Sequence, residues 1–356
     1  MKRSAAGKAK GPSLKTVALA AGVSLTTVSN AYNKPEHVSD EVRDMIFAIA
    51  REQGYAGPDP AARSLRSRHS GAIGVLFTSQ LSYAFSDPYC VELLTGLAEV
   101  AEENRISVVL IPLARRVVAP EEEVRRSVEA VRHAVIDGAV ADGIDDGHPA
   151  LQVLLSRGLP LIRSVDNSES HCVMIDEREA GRSVGEYLAG LGHRHVAVVV
   201  DHLHEPSSPD EAVEEDELFP YSRLRLAGIR EGLAGHGRVT VVAARRNTAA
   251  SGWVAADAAL ERADPPTAIV ATSDVLALGA LEALARRNVP AGAGGVSVVG
   301  FDDIPAAAPA GLTTVRQPIR EKGRLMGRML LDSSYTQRRM VLPTQLVTRT
   351  STGPAN

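Results

Sequence analysis

The chain has 356 residues, enough to bury a substantial core, and this length predicts two or three structural units. Its two cysteines show no metal-ligand spacing and make no disulfide framework, which favours a reducing compartment. No apolar run approaches the roughly 20 residues of a membrane helix, and no apolar stretch follows the basic N-terminus as it would in a secretory signal. We therefore expect a cytoplasmic protein.

Charge is distributed unevenly along the chain. Residues 1–70 contain 11 Lys and Arg against 6 Asp and Glu, a balance of +5, so the remainder carries −9 to reach the total of −4. A basic head on an acidic body indicates that only the head meets a polyanion. A disordered basic tail, the simpler explanation, accounts only for residues 1–12.

Three short helices are predicted in residues 13–57. Ser13, Ser24 and Ser39 each precede a helical pattern as an N-cap, and Gly22 ends the first helix in a left-handed turn. Two short helices around a glycine turn, closed by a third, make a helix-turn-helix unit whose second helix enters the major groove of DNA. The alternative is a plain three-helix bundle with a solvated face.

A short basic segment, "GPDPAARSLRSRHSG", follows the head and spans the predicted hinge and linker at residues 58–70. Its potential helix is too short to be stable alone. Leu65 has no local core to join and is flanked by Arg63 and Arg66. It is either an ordinary linker residue or a wedge inserted between base steps of the minor groove, with the arginines on phosphates.

The head and hinge carry a specific family signature. The stretch "LKTVALAAGVSLTTVSNAYNKPEHVSDEVRDMIFAIAREQGY", with "PAARSLRS" after it, resembles the lactose/galactose-repressor family of bacterial transcription regulators, and the likeness runs through nearly the whole chain. The resemblance implies that Leu25, Thr26 and Asn30 read bases, and that Leu65 intercalates. The predicted DNA-contacting set is Ser13, Ser24, Leu25, Thr26, Thr27, Ser29, Asn30, Asn33, Tyr55, Arg63, Leu65 and Arg66.

Asn30 stands where many family members carry arginine. Asparagine favours adenine and arginine favours guanine, so the operator is expected to deviate from the usual half-site of the family.

Residues 71–356 alternate between short apolar runs and helical patterns. Runs such as "AIGVLF", "HVAVVVD" and "GVSVVGFDD" are typical of strands buried in parallel sheets, and they predict an α/β body. A body of this length makes two doubly wound lobes, with ligands expected at the carboxyl ends of strands and in the cleft between lobes.

The resemblance implies lobes of the periplasmic-binding-protein type joined by three crossovers. We place the first lobe at about 71–172 and 304–332, and the second at about 173–303 and 333–356. The whole of residues 71–356 would bind effector and form the dimer.

Polar residues after apolar runs are the effector-binding candidates. Arg225 matches the arginine that holds the effector in the family, and Asp274 and Asp302 match effector-contacting positions. An arginine with carboxylates suits vicinal hydroxyls of a sugar, although each aspartate is otherwise a plausible helix N-cap. The full predicted set is Tyr89, Asp142, Tyr221, Arg225, Asn247, Asp274 and Asp302.

Two features depart from the family pattern or suggest other chemistry. Asn247 lies where several members have an aromatic that stacks on the ligand, and Trp253 is expected in the core of the next helix. The acidic loop at 201–220 contains "DHLHE", whose donors suit a divalent metal, but alternate residues in a loop favour a solvated segment. We predict no metal site and no cofactor.

Three function classes compete for this sequence. The favoured class is a DNA-binding transcription regulator, expected to be a repressor, whose affinity for a near-palindromic operator is set by a small effector such as a sugar. A transporter's solute-binding protein lacks a reason for the basic head, and an enzyme using Asp302 and Asp303 lacks a partner histidine. We expect a homodimeric, nucleoid-associated regulator that is not an enzyme and does not bind membranes.

Overall fold

The computed structural model describes residues 12–58, 69–78, 81–114, 120–166, 171–201, 213–215, 218–233, 237–332, 335 and 337–355, and every structural statement below concerns these residues. The chain divides into two compact units, Met1–Ser70 and Gly71–Asn356. Residues 1–11 of the predicted tail and the three hinge residues Arg63, Leu65 and Arg66 lie outside the described residues.

The described part of the first unit is a three-helix domain. It contains α1 (Leu14–Ala21), α2 (Leu25–Asn33), a 3₁₀ turn (Pro35–His37) and α3 (Asp40–Glu52). Ser13, Ser24 and Ser39 cap the three helices, and Gly22 adopts a φ of 66° after α1, as predicted from the sequence. The head core consists of Val17, Ala18, Val28, Ala31, Ile46 and Ala50.

The second unit contains two six-stranded sheets with helices on both faces. The helices are α4 (Leu81–Ala84), α5 (Pro88–Glu103), α6 (Glu121–His133), α7 (Pro149–Ser156), α8 (Glu177–Gly190), α9 (Pro220–Gly232), α10 (Ala249–Leu260), α11 (Asp274–Arg286) and α12 (Ile319–Leu331). The strands are β1 (Ala72–Phe77), β2 (Ser107–Pro112), β3 (Gly138–Ala141), β4 (Leu161–Arg163), β5 (His171–Ile175), β6 (His195–Asp201), β7 (Arg238–Ala244), β8 (Ala268–Ala271), β9 (Ser297–Asp302), β10 (Thr313–Arg316), β11 (Arg339–Leu342) and β12 (Gln345–Val347).

The sheet orders define two lobes. The first lobe has the order β11-β5-β4-β3-β1-β2, and the second has β12-β10-β9-β8-β6-β7. All pairings are parallel except β10 with β12. Side chains of β6 alternate between the two cores of its lobe: Ala197 and Val199 pack on one face, and Val196 and Val198 on the other. This burial on both faces explains the continuous apolar runs of the sequence and confirms the predicted fold class.

The lobe boundaries differ from those predicted. The expectation that residues 304–332 lie together in the first lobe is wrong, because β10 pairs with β9 in the second sheet. The expectation that all of 333–356 lies in the second lobe is also wrong, because β11 pairs with β5 in the first. The chain crosses between β5 and α8, between β10 and α12, and between β11 and β12. Because β10 and β11 are short and carry threonine or arginine, their partners are not evident from hydrophobicity.

Candidate functional site

A cavity of about 270 Å³ lies between the two lobes, at the carboxyl ends of their strands. In the first lobe Thr78, Asp142 and Ser164 follow β1, β3 and β4 directly, and all three line the cavity. In the second lobe Asp201 and Asp302 are the last residues of β6 and β9, and both line it too. Parallel strands bring their ends to one edge, so each lobe contributes a row of polar groups to the same space.

Arg225 organises the second-lobe wall. It lies in the second turn of α9, is 5 % exposed, and donates from Nε to Glu177 Oε2 at 2.7 Å and from Nη1 to the Thr272 carbonyl at 2.5 Å. Its guanidinium carbon lies 3.4 Å from the centre of the Phe301 ring. This buried cation is therefore held rigidly by an ion pair, a carbonyl and an aromatic face.

Asp302 lies beside this cation in an unusual backbone conformation. Its φ is 119°, a region that side-chain-bearing residues rarely adopt. Burial raises the pKa of Asp302 well above its usual range, and the opposing influence of Arg225 only partly offsets this. Gln317 donates to Asp302 Oδ1 at 2.6 Å. Backbone strain such as the positive φ of Asp302 persists where the surrounding structure holds it, and it is typical of functional sites.

Lys322 is a buried cation in the first-lobe wall, as Arg225 is in the second-lobe wall. Its Nζ lies 3.0 Å from Asp142 Oδ1 and 2.7 Å from the Tyr89 hydroxyl, and Lys322 is 4 % exposed. Burial, followed by the neighbouring Asp142, raises the pKa of Tyr89 well above its usual value. Sequence analysis missed Lys322. The available signal was a lysine on the buried face of α12, between Ile319 and Met326.

Asp201, the first residue of the "DHLHE" stretch, lines this cavity. Its carboxylate accepts hydrogen bonds from the Tyr221 hydroxyl at 2.6 Å and from Ser222 at 3.1 Å. His202, His204 and Glu205 lie outside the described residues, and no group of three possible metal ligands is found among the described ones.

Asn247 connects the two lobes across the cavity. Its amide nitrogen donates to the Tyr83 hydroxyl at 2.8 Å and to Asp87 Oδ2 at 3.0 Å, both in the first lobe. Its amide oxygen accepts from Ser273 of the second lobe at 2.5 Å. The position at which the resemblance implies a stacking aromatic in several members therefore holds an interlobe hydrogen-bond link in this structure.

Six of the seven predicted effector-binding residues line the cavity: Tyr89, Asp142, Tyr221, Arg225, Asn247 and Asp302. The prediction for Asp274 is wrong. Asp274 is fully buried, and its two oxygens accept from Thr314 Oγ1 at 2.5 Å and from the Ile304 amide at 2.8 Å. The carboxylate joins the start of α11 to β10 and to the residue that follows Asp303, and the preceding residue, Ser273, lines the cavity instead.

In the head, the predicted DNA-contacting residues fall into two groups. Ser13, Ser24, Thr27, Ser29 and Asn33 make local hydrogen bonds that cap or stabilise α1 and α2.

The second group has no such role. Leu25 is 49 % exposed, and among the described residues the side chains of Thr26 and Asn30 have no hydrogen-bond partner. Tyr55 packs edge-on against Tyr32, with ring centres 6.1 Å apart, and is partly buried against the head core. Thr26 and Asn30 are thus polar side chains of α2 that are available to a ligand.

Comparison with known protein families agrees with this architecture. Residues 13–57 match the model of bacterial regulatory proteins of the lacI family, and residues 186–352 match a periplasmic binding protein-like domain. No helix in the described part of the chain is long and apolar enough to cross a membrane.

Similar proteins cover nearly the whole chain. An HTH-type transcriptional regulator of Mycolicibacterium smegmatis is 36 % identical over 96 % of both chains. The HTH-type transcriptional regulator IpsA of Corynebacterium glutamicum is 34 % identical over 93 % of this chain and 94 % of its own. The lac repressor dimer bound to operator and the anti-inducer ONPF superposes with a TM-score of 0.76 at 25 % identity, covering 96 % of this chain and 99 % of that one.

A helix-turn-helix head joined to a two-lobed body with a polar interlobe cavity defines a DNA-binding transcriptional regulator rather than an enzyme or a transport protein. The chain belongs to the lacI family, the lactose/galactose-repressor family of bacterial regulators.

Proposed function

We propose that this protein is a homodimeric repressor whose affinity for a near-palindromic operator is controlled by a small polyhydroxy effector, such as a sugar, bound between the lobes. It acts in the cytoplasm, at the nucleoid. The observation that carries the proposal is the cavity whose two walls come from different lobes, each with a buried cation, Arg225 or Lys322. A ligand that bridges both walls binds one interlobe angle better than another and so shifts the population of conformations.

Two solved relatives support the effector and the operator. The transcriptional regulator CelR is seen in complex with cellobiose, with 27 % identity, a TM-score of 0.65, and coverage of 96 % of this chain and 99 % of that one. The lac repressor dimer is seen on its operator. Arginine beside carboxylates suits the paired donors and acceptors of sugar hydroxyls.

The DNA-binding part of the proposal rests on α2. Thr26 and Asn30, without partners of their own, read base edges in the major groove, while Ser13, Ser24, Thr27, Ser29, Asn33 and Tyr55 contact the backbone. Leu65 as a minor-groove wedge, with Arg63 and Arg66 on phosphates, remains a prediction.

The experiment is a mobility-shift assay with genomic fragments, repeated with a panel of sugars. Selective retardation of a fragment that contains a near-palindrome, with affinity changed by one panel member, is the expected result. Retardation of all fragments alike, or the absence of any response, would contradict the proposal.

Arg225→Lys tests the sensing site. It keeps a positive charge beside Glu177 but loses the planar, multiply bonded guanidinium. We expect operator affinity without effector to be retained and the response to effector to fall at least about tenfold. Arg230→Lys, on the same helix but exposed and paired with Glu215 within the second lobe, is the matched control and should respond normally.

A further inference from the structure

The interlobe cavity has a surplus of negative side chains. Among the described residues that line it are two cations, Arg225 and Lys322, and six carboxylates: Asp87, Asp142, Asp166, Glu177, Asp201 and Asp302. The acids come from both lobes, so a ligand in the cavity is surrounded by hydrogen-bond acceptors.

Neither cation is free to neutralise a charged ligand. The Nε of Arg225 lies 2.7 Å from Glu177 Oε2, and the Nζ of Lys322 lies 3.0 Å from Asp142 Oδ1. Both cations are buried, and each pair is electrically balanced before any ligand arrives. An incoming phosphate or carboxylate would have to compete with an existing buried ion pair.

Three carboxylates, Asp87, Asp201 and Asp302, accept hydrogen bonds only from uncharged groups within the described part of the chain. Their donors are the hydroxyls of Tyr83, Tyr221, Ser222 and Thr272, the amides of Asn247 and Gln317, and the Cys90 backbone. Each of the three is at most 6 % exposed. Since a carboxylate has about four acceptor positions, these groups retain capacity for donors on a ligand.

Like charges reinforce one another in this cavity. Burial raises the pKa of Asp87, and the charge of Asp201 adds to the effect. The pKa of Asp302 is raised by burial, and further by Asp274 and Asp87. An anion would raise these pKa values further and would meet only cations that are already paired, whereas hydroxyl donors would stabilise the ionised carboxylates.

The first turn of α9 is a further place that favours an anion, because Phe219 provides no side-chain cap there. Asp201 already accepts hydrogen bonds from two side chains of that turn, those of Tyr221 and Ser222. The protein therefore supplies its own negative charge at this helix end.

We propose that the cavity selects a polyhydroxy effector that carries no phosphate or carboxylate group, and that Asp87, Asp201 and Asp302 accept its hydroxyl hydrogens. This selection rests on the proposed function of the cavity as the effector site. Sugar phosphates and sugar acids are excluded by charge rather than by size.

The test is isothermal titration calorimetry of the full chain with matched sets of compounds. Each set contains a neutral aldohexose, aldopentose or disaccharide, its phosphate ester and its sugar acid. We expect the tightest ligand to be a neutral member, with its anionic counterparts at least about 100-fold weaker, because both lining cations are already paired and the other ionisable groups are acids. An anionic member that binds as tightly as its neutral counterpart would overturn the proposal. So would neutral members that all bind more weakly than about 1 mM.

A pair of variants distinguishes exclusion of anionic ligands by charge from exclusion by shape. Asp201→Asn keeps an oxygen acceptor for the Tyr221 hydroxyl, so the site geometry should persist. We expect this variant to narrow the ratio of dissociation constants between anionic and neutral ligands at least about fivefold. Asp264→Asn makes the same substitution at an exposed site outside the cavity and should leave this ratio unaltered. An unchanged ratio in Asp201→Asn, with binding retained, would contradict the charge argument.

Failure of the ligand selection and failure of the regulatory proposal give different results. If the protein retards its operator and responds to an anionic ligand alone, the regulator stands and the selection for neutral ligands fails. If it does not recognise DNA at all, the proposed function fails whatever the calorimetry shows.

Discussion

At the residue scale, identical residue types in similar sequence contexts have different roles. Asp274 and Asp302 both come at or near the end of an apolar run, next to a loop or helix start. Asp302 lines the cavity, while Asp274 is enclosed and joined to Thr314 and Ile304. The same distinction separates Asn30 from Asn33 in α2, because the amide of Asn33 is bound to Ser29.

The contrast between the two asparagines is testable on DNA. Asn30→Ala should weaken binding to the preferred operator by about 1–3 kcal/mol and relax the preference at one base position. Asn33→Ala, a matched change in the same helix, should weaken binding equally on all sequences. Competition binding against a library of operator variants measures both effects. Equal loss of selectivity in the two variants would contradict base contact by Asn30.

Asp274 gives the protein a specific pH dependence. Burial raises its pKa to about 7, despite hydrogen bonds from Thr314 and Ile304, and the nearby Asp303 adds to the rise. Because the folded state favours the neutral carboxyl, stability from this group is present below pH 4 and is lost as the pH rises towards 7. Asp274→Asn stays neutral, so its melting temperature relative to wild type should rise between pH 4 and pH 7 and then level off. If the melting temperatures of the two proteins change in parallel with pH across this range, the result would contradict the assignment.

At the element scale, the body is held together by three close helix pairs: α5 with α12, α8 with α9, and α10 with α11. Glycines allow the backbones to approach, and a Cβ on Gly228 of α9 would overlap the carbonyl oxygen of Arg178 in α8. The pair α8–α9 also carries Glu177 and Arg225, so its spacing sets the geometry of the second-lobe wall.

Gly228→Ala should destabilise the protein by about 3 kcal/mol, since neither helix backbone can give way. Gly190→Ala, at the end of α8, is the control: its Cβ would meet open space, and alanine favours the helix. Urea denaturation of both variants measures the difference. Similar midpoints for the two alanine variants would contradict the close contact.

At the scale of the whole molecule, the links between the two lobes in the described part of the chain include three chain crossings, the side chain of Asn247 and an ion pair between Arg223 and Asp145, 3.8 Å apart. The Asn247 amide contributes hydrogen bonds to Tyr83 and Asp87 on the opposite lobe. Each such bond contributes about 1 kcal/mol, enough to alter the balance between interlobe angles. Effector binding and lobe closure therefore share the same polar groups, and by reciprocity operator and effector must affect one another equally.

Asn247→Ala should shift the body towards more open conformations, seen as a larger radius of gyration in small-angle X-ray scattering. Asn104→Ala is the control. The Asn104 amide donates to the Val100 carbonyl within the same lobe, so this variant should scatter like wild type. Unaltered scattering of Asn247→Ala, with its fold intact, would show that the interlobe link does not set the angle.

The sequence by itself determined much of this protein. Serine caps and Gly22 fixed the head, because capping is local chemistry, and continuous apolar runs such as β6 identified strands buried on both faces. Six of the seven cavity candidates were identifiable from strand ends and from resemblance to a family.

Only the tertiary structure decided how those parts meet. The partners of β10 and β11, and with them the crossings, depend on long-range pairing that short strands do not encode in hydrophobicity. The orientation of Asp274 away from the cavity and the entry of Lys322 from α12 depend on packing between distant segments. Hydrophobic periodicity indicates which face of a helix or strand is buried, but not which segment that face packs against. The positions of the charged groups in the cavity depend on that packing.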